Sequence, residues 1–272
     1  MNVAFDFGIT NTDVVVENKS ENQFFSFPSD RVDEDFIKQI FDSINLNLKE
    51  VKNIAVTGGK SSDLDDEYMN IPITKINEVD AIGKGVKELY KTGEKPFVAI
   101  SAGTGTACIY HADGKFNYLG GISIGGGTLQ GLSKHLINNA NNEDIQELAI
   151  TGNRNELDYL IGDIANEIGS LNSKITASNF GKAKNLDSLS SSDVAASITN
   201  MIGEVIGTVA YLNAMLCGEN KVYFLGRVSL NSNIKAAIAD RLKLANITGI
   251  FEDNREYANV LGALVYLKDK IT

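Results

Sequence analysis

Cysteine and histidine are almost missing from this 272-residue chain, which holds two of each. Cys108 and Cys217 sit in apolar stretches, as buried thiols do, and so few ligands exclude a Cys/His metal site and a disulfide framework. Basic residues are in deficit too: 25 Lys and Arg face 35 Asp and Glu, a formal net charge of -10. Such a surface repels phosphate backbones, so nucleic acid is excluded as a partner. The N-terminus lacks a basic segment and meets an acid at Asp6, so no secretory signal is expected. No apolar run approaches the roughly 18 residues of a spanning helix. No membrane partner follows from that, and the cytoplasm is the expected compartment. The pattern G-x-x-x-x-G-K-[ST] is missing, which excludes a P-loop. With 43% hydrophobic and 22% charged residues, the composition is that of a folded chain with an ample core.

Periodicity gives an α/β order. Asn2–Phe7, Thr12–Glu17 and Gln23–Phe27 read as antiparallel strands joined by short links. A helical stripe covers Asp33–Leu46, a short buried strand Asn53–Thr57, and a second helix Asn77–Tyr90. The opening pattern then returns. Phe97–Ser101, Ala107–His111 and Phe116–Gly120 read as strands, the last two joined by the Asp113-Gly114 turn. Near the end come a strand Lys221–Gly226, a helix Asn231–Leu244, a strand Ile247–Phe251 and a helix Tyr257–Lys270. This makes two β-β-β-α-β-α units, a lobe over 1–94 and a lobe over 95–272. An all-helical insertion is expected at about 128–218. Two such units with glycine turns at matching places resemble the actin-like ATPase (ribonuclease H-like) fold, which clamps a nucleotide between its halves.

The glycine turns carry the chemistry. In Asp6-Phe7-Gly8-Ile9-Thr10-Asn11-Thr12, Gly8 lets the backbone approach a phosphate, while Thr10, Asn11 and Thr12 offer donors to its oxygens. Asp6, at the end of a buried strand, is placed to hold Mg²⁺ through water. Alone, this pattern is also an ordinary turn. Gly103-Thr104-Gly105-Thr106 repeats the logic one lobe later, and the pair is the specific signal. Gly125-Gly126-Gly127 lies directly before a helix, so an open helix N-terminus is expected to receive an anion there. Glu78 and Asp80 open the helix after Asn77, where acids also serve the helix dipole. Gly226 and Arg227 follow a strand that ends near the cleft, and Arg227 is a candidate to enter it.

Three stretches resemble type II pantothenate kinases in order and spacing. They are Glu78-Val79-Asp80-Ala81, Gly103-Thr104-Gly105-Thr106, and Gly120-Gly121-Ile122-Ser123-Ile124-Gly125-Gly126-Gly127-Thr128-Leu129-Gln130-Gly131-Leu132. Thr57-Gly58-Gly59, Gly152-Asn153-Arg154-Asn155, Thr176-Ala177-Ser178-Asn179-Phe180-Gly181 and Leu261-Gly262-Ala263-Leu264 match as well. The resemblance implies ATP and Mg²⁺ as cofactors and transfer of the γ-phosphoryl group to the primary hydroxyl of pantothenate or a close analogue. It makes Glu78 the catalytic base and places Gly121, Thr176, Ala177 and Phe251 at the substrate. It further implies a homodimer through the helical insertion and an acyl-CoA feedback ligand. Two positions depart from the family. Asp13 stands where a lysine is usual, and Tyr118 where an arginine meets substrate and phosphate. The activator ATPases of radical dehydratases share this plan, but they need cluster-ligating cysteines at a subunit interface.

Overall fold

The computed structural model describes residues 1–18, 21–164 and 173–271. Its first sheet uses β1 (Asn2–Phe7), β2 (Asn11–Val16) and β3 (Gln23–Pro28), then helix α1 (Glu34–Ser43). β4 (Asn53–Thr57), β5 (Glu67–Tyr68), β6 (Ile71–Lys75) and helix α2 (Glu78–Tyr90) follow. The second unit opens with β7 (Phe97–Ala102), β8 (Thr106–Ala112) and β9 (Lys115–Ile122). It continues through α3 (Gly126–Ile137), α4 (Asn142–Thr151), β10 (Tyr159–Leu160), α5 (Ile161–Ile164), β11 (Thr176–Ser178) and α6 (Ser191–Cys217). β12 (Lys221–Leu225), α7 (Ser232–Lys243), β13 (Thr248–Ile250) and α8 (Ala258–Ile271) complete it.

The internal repeat is visible in the strand order. The first sheet runs β3-β2-β1-β4-β6-β5 and the second β9-β8-β7-β12-β13. In each, three antiparallel strands are extended by two parallel ones. β6, the counterpart of β13, was not expected from the sequence. Pro72 interrupts its pattern, and proline within a run argues against an interior strand; here it sits where β6 meets the two-residue β5.

Alternation along the central strands gives each sheet two buried faces. On β1, Val3, Phe5 and Phe7 face α1, while Ala4 joins Val260, Ala263 and Leu264 of α8. On β7, Val98 and Ile100 face the insertion helices, while Phe97 and Ala99 meet Ile82 and Val86 of α2. The helices are therefore exchanged: α2 follows the first sheet but covers the second, and α8 follows the second but covers the first. The two cross at glycines. A Cβ on Gly262 would stand 1.8 Å from the Ala81 carbonyl oxygen, and one on Gly85 2.0 Å from that of Ala258.

The insertion is not all helical, as the sequence suggested, because β10 and β11 pair as a two-stranded antiparallel sheet. Arg154 donates to Thr176 Oγ1 at 2.7 Å and that hydroxyl donates to Glu204 Oε1 at 2.8 Å, which ties the β11 edge to α6. Residues 165–172 of the insertion lie outside the described residues. One expectation about apolar runs also changes. α6 has 27 residues and a window of mean hydropathy 1.2, so by length and composition it is long enough to cross a membrane. That window is 67% buried inside the fold, as in the core helix of a folded domain.

The glycine crossing is testable by substitution. Gly262→Ala should lower stability by about 1–3 kcal/mol, the usual cost of overpacking. Gly131→Ala, on the exposed side of α3 with nothing within 4 Å of its Cβ position, should raise it by roughly 0.5–1 kcal/mol. Denaturant midpoints of the two variants read both signs at once.

Candidate active site

A cleft of about 1120 Å³ opens between the two sheets. Its floor is Asp6, at the end of β1. Gly58, at φ +74°, crosses close by: a Cβ there would stand 2.4 Å from Asp6 Oδ1. Glycine at that point keeps the carboxylate open to the cleft. Asp13 pairs directly with Asp6 across the β1–β2 ladder, so both side chains lie on one face. Burial first, then the Asp13 and Glu78 carboxylates, push the Asp6 pKa up to about 7, against the hydrogen bond from Asn259 and the charge of Arg227. Asn259 also lies 3.5 Å from Ser101 Oγ, so this residue of α8 bridges both sheets beneath the cleft. Nothing in the local sequence marked it, since its role comes from the helix exchange.

The two glycine hairpins face each other across this floor. Thr10 Oγ1 and Thr104 Oγ1 are 2.8 Å apart, the first hairpin touching the second. Gly8, Thr10, Asn11, Gly103, Thr104, Gly105 and Thr106 all line the cleft. Gly8 is required sterically, because a Cβ would meet the Asn11 carbonyl oxygen at 2.5 Å. Thr12 does not reach the cleft lining. It is buried, and its hydroxyl shares a hydrogen bond with Ser29 at 3.0 Å while Ser29 donates to the Gly8 carbonyl at 2.7 Å. Thr12 thus braces the hairpin from beneath.

The triple glycine is not an open helix entrance. The N–H groups of Gly126 and Gly127 donate to the carbonyl oxygens of Gly103 (2.8 Å) and Thr104 (3.0 Å). Two of the orphan donors that a helix N-terminus offers to anions are here engaged by the second hairpin. A Cβ on Gly125 would stand 2.7 Å from both those oxygens, so the glycines let the hairpin seat against α3. Only Gly126 of the three reaches the cleft lining.

Glu78 is the first residue of α2, after Asn77, whose side chain caps the helix by accepting from the Val79 N–H at 2.8 Å. Glu78 is exposed and lines the cleft; Asp80 does not. Tyr118 and Gly121 of β9 line it as well, Tyr118 with 59% of its surface exposed. Gly226 lines it at φ +85°, where a Cβ would stand 2.3 Å from the Ala102 carbonyl oxygen. Three of the residues expected at the substrate also lie outside the cleft lining of this chain. Thr176 is buried on Arg154 and Glu204, Ala177 is exposed beside it, and Phe251 stacks on Phe224 at 4.5 Å.

Arg227 enters the cleft, as the sequence allowed, but Asp13 engages it. Its two terminal nitrogens bond the two Asp13 oxygens, one at 2.7 Å, and a further bond reaches Ser26 at 2.8 Å. The pair joins the second lobe to β2 and β3 of the first. Asp13 is 4% exposed, so a bidentate cation is what makes its burial tolerable.

The raised Asp6 pKa gives a signed prediction. The folded value lies above the ordinary 3.8, so the native state holds this proton more tightly than the unfolded chain. Stability tied to Asp6 is then full at low pH and is lost as pH climbs from about 4 to 7. Asp6→Asn should stabilise the ligand-free protein by about 1–3 kcal/mol at pH 8, with the gain shrinking steadily toward pH 5. Chemical denaturation across that range checks it. A gain independent of pH would assign the effect to something other than ionisation.

The geometry can be set beside known proteins. The Fumble family model matches residues 90–263. The type II pantothenate kinase of Bacillus anthracis is 34% identical over 231 residues, 82% of this chain and 84% of that protein. The type II pantothenate kinase of Bacillus thuringiensis subsp. konkukian is 30% identical over 282 aligned positions, 98% of each chain. Among solved structures, the activator of the 2-hydroxyisocaproyl-CoA dehydratase from Clostridium difficile with bound ADPNP superposes with a TM-score of 0.68 at 16% identity, covering 99% of this chain and 94% of that one. A ROK family glucokinase from Streptomyces griseus in complex with glucose and AMPPNP gives 0.62 at 13% identity, covering 97% and 98%. At those identities the structures speak for the fold alone, and that fold is the two-lobed actin-like one. The sequence matches go further: this chain belongs to the Fumble family, that of the type II pantothenate kinases.

Proposed function

We propose that the cleft transfers the γ-phosphoryl group of ATP to the primary hydroxyl of pantothenate or a close analogue, the first step of coenzyme A biosynthesis. The observation that carries this reading is the placement of Asp6 and Glu78 beneath two facing glycine hairpins that meet at Thr10 and Thr104. The named activity of the Bacillus relatives supports the choice of reaction. In this reading residues 1–94 and 95–272 form the lobes of the clamp, and the enzyme works in the cytoplasm.

The step needs little covalent chemistry from the protein, because phosphoryl transfer is governed by positioning and charge neutralisation. Backbone and hydroxyl donors of the Gly8–Asn11 and Gly103–Thr106 hairpins hold the phosphates. Glu78 takes the proton of the acceptor hydroxyl as its oxygen bonds to the γ-phosphorus, while the bond from that phosphorus to the β–γ bridging oxygen breaks and ADP leaves. Among the described residues no group of three His, Cys, Asp or Glu is arranged to hold a metal ion. That fits Mg²⁺, which keeps most of its water and takes one or two carboxylates. Asp6 would hold it, and its raised pKa marks a carboxylate that a cation would relieve. Bound there, Mg²⁺ would neutralise charge on the phosphates.

The same reading includes a two-fold dimer and an acyl-CoA as feedback ligand. α6 buries Val194, Ile198, Ile202 and Ile206 but leaves Leu212 (53%), Met215 (61%) and Leu216 (80%) exposed at its C-terminal end. A row of exposed apolar residues on a helix that is otherwise core suits an isologous contact.

Two measurements test these statements. With Mg-ATP and an accepted alcohol, Glu78→Gln should lose about 10²–10⁴-fold in kcat, the usual share of general-base catalysis, while its Mg-ATP affinity stays near wild type. A loss of only a few-fold would remove Glu78 from the proton transfer. Light scattering at micromolar concentration should report a dimer, and the double change Met215→Glu with Leu216→Glu a monomer. A wild-type monomer would defeat the assembly.

A further inference from the structure

Arg227 spans the lobes from a fixed base to a defined row of the first sheet. The Gly226 N–H donates to the Arg255 carbonyl at 3.0 Å, and a Cβ on Gly226 would stand 2.3 Å from the Ala102 carbonyl oxygen. On the other side, the buried Ser229 hydroxyl accepts from Arg255 Nε at 2.8 Å. The stem of Arg227 is therefore held from both directions. At its far end, Asp6, Asp13 and Ser26 are paired across β1, β2 and β3, so they form one row on one face. The guanidinium bonds two members of that row, Asp13 Oδ2 at 2.7 Å and Ser26 Oγ at 2.8 Å, and the Tyr257 ring lies 5.6 Å from it.

The first glycine hairpin continues directly from that row. Its ladder ends at the Phe7–Thr12 pair, and the turn beyond carries Gly8 and Thr10. Within its own lobe the turn is held by Ser29, whose N–H donates to the Thr10 carbonyl at 3.0 Å and whose hydroxyl donates to the Gly8 carbonyl at 2.7 Å. Row and turn are thus one body. Across the cleft, the turn meets the second hairpin through the Thr10 and Thr104 hydroxyls, 2.8 Å apart. A bond between two neutral, exposed hydroxyls contributes little net, and a phosphate lodged between the hairpins would take up both. The charged fork on Asp13 is the stronger contact, and it uses no atom of the hairpin tips. It is not free to turn to a phosphate. Asp13 is buried and stands directly opposite Asp6, and like charges so placed repel unless one is paired.

We propose that Arg227 is a positioning residue: acting through Asp13 and Ser26, it sets the spacing of the two glycine hairpins for the phosphate chain without itself touching phosphate. The proposal rests on the kinase reading above. It gives a part in the reaction to Arg227 and Asp13, which that reading leaves unused.

Hairpin spacing can be read without nucleotide. Thr10→Cys combined with Thr104→Cys, in a Cys217→Ser background that leaves the buried Cys108 in place, sets one thiol on each tip. The rate at which oxidised glutathione joins them as a disulfide reports how often the tips meet. Arg227→Met should slow that rate by about tenfold or more, Asp13→Asn likewise, and the two together no further, as for one shared interaction. Arg227→Lys keeps the charge but loses the fork, so it should fall between. With Thr10 and Thr104 restored, the Kd for Mg-AMPPNP by calorimetry should rise by about tenfold in Arg227→Met and in Asp13→Asn alike. A crosslinking rate unmoved by Arg227→Met would reduce the pair to a structural tie and overturn the proposal. So would tighter nucleotide binding in Asp13→Asn beside weaker binding in Arg227→Met, the mark of a guanidinium that holds phosphate itself. A wild type that binds no Mg-AMPPNP would instead overturn the kinase reading, and the proposal with it, whatever the crosslinking rates.

Discussion

The exchange of α2 and α8 between the two sheets locks the two lobes into one body and builds the cleft between them. Each helix leaves the lobe that precedes it and covers the other, so neither lobe has a complete core without its partner. The exchange is possible because glycine stands where the helices cross; Gly85 and Gly262 allow backbone to lie against backbone. It also places the start of each helix at the cleft. Glu78 opens α2 and Asn259 follows the first residue of α8, and both line the space above Asp6. The packing that joins the lobes thus assembles the carboxylates and the bridging amide.

Around that frame the glycines have two distinct duties. Gly8 and Gly58 clear space at the floor, the first for a tight hairpin and the second for the Asp6 carboxylate. Gly125 to Gly127 let a hairpin dock on a helix start, with two N–H groups consumed in doing so. The two hairpins then face each other across the cleft, with α3 as the support of one. Charge follows a similar economy. Arg227 reaches the cleft from the second lobe, and its bond to Asp13 ties the lobes together there. The cleft is left acidic overall, with Arg227 as the one cation of its lining among the described residues.

Much of this was legible in the sequence. The bounds of β1 and β4 follow from their apolar runs alone, and the repeated glycine hairpins announced the two lobes. What was hidden depends on contacts distant along the chain. β6 was masked by Pro72, whose place beside the short β5 only pairing reveals. The open appearance of the triple glycine came from local sequence, whereas its N–H partners are Gly103 and Thr104, more than a turn away in the chain. Asn259 carries no motif, and Arg227 reads as a free cation until Asp13 is placed beside it. Thr176 and Phe251, which the resemblance placed at the substrate, make in this chain a polar tie to α6 and an aromatic stack.

In the proposed clamp the phosphates of a nucleotide lie between the hairpins at Thr10 and Thr104, over Asp6. A crystal structure of the chain with Mg²⁺ and a non-hydrolysable ATP analogue tests it most directly. The phosphate chain should lie between the Gly8–Asn11 and Gly103–Thr106 backbones, with the metal ion on the Asp6 side and the Arg227–Asp13 pair intact. Phosphates bound elsewhere, or an Arg227 released from Asp13 to hold them, would contradict it.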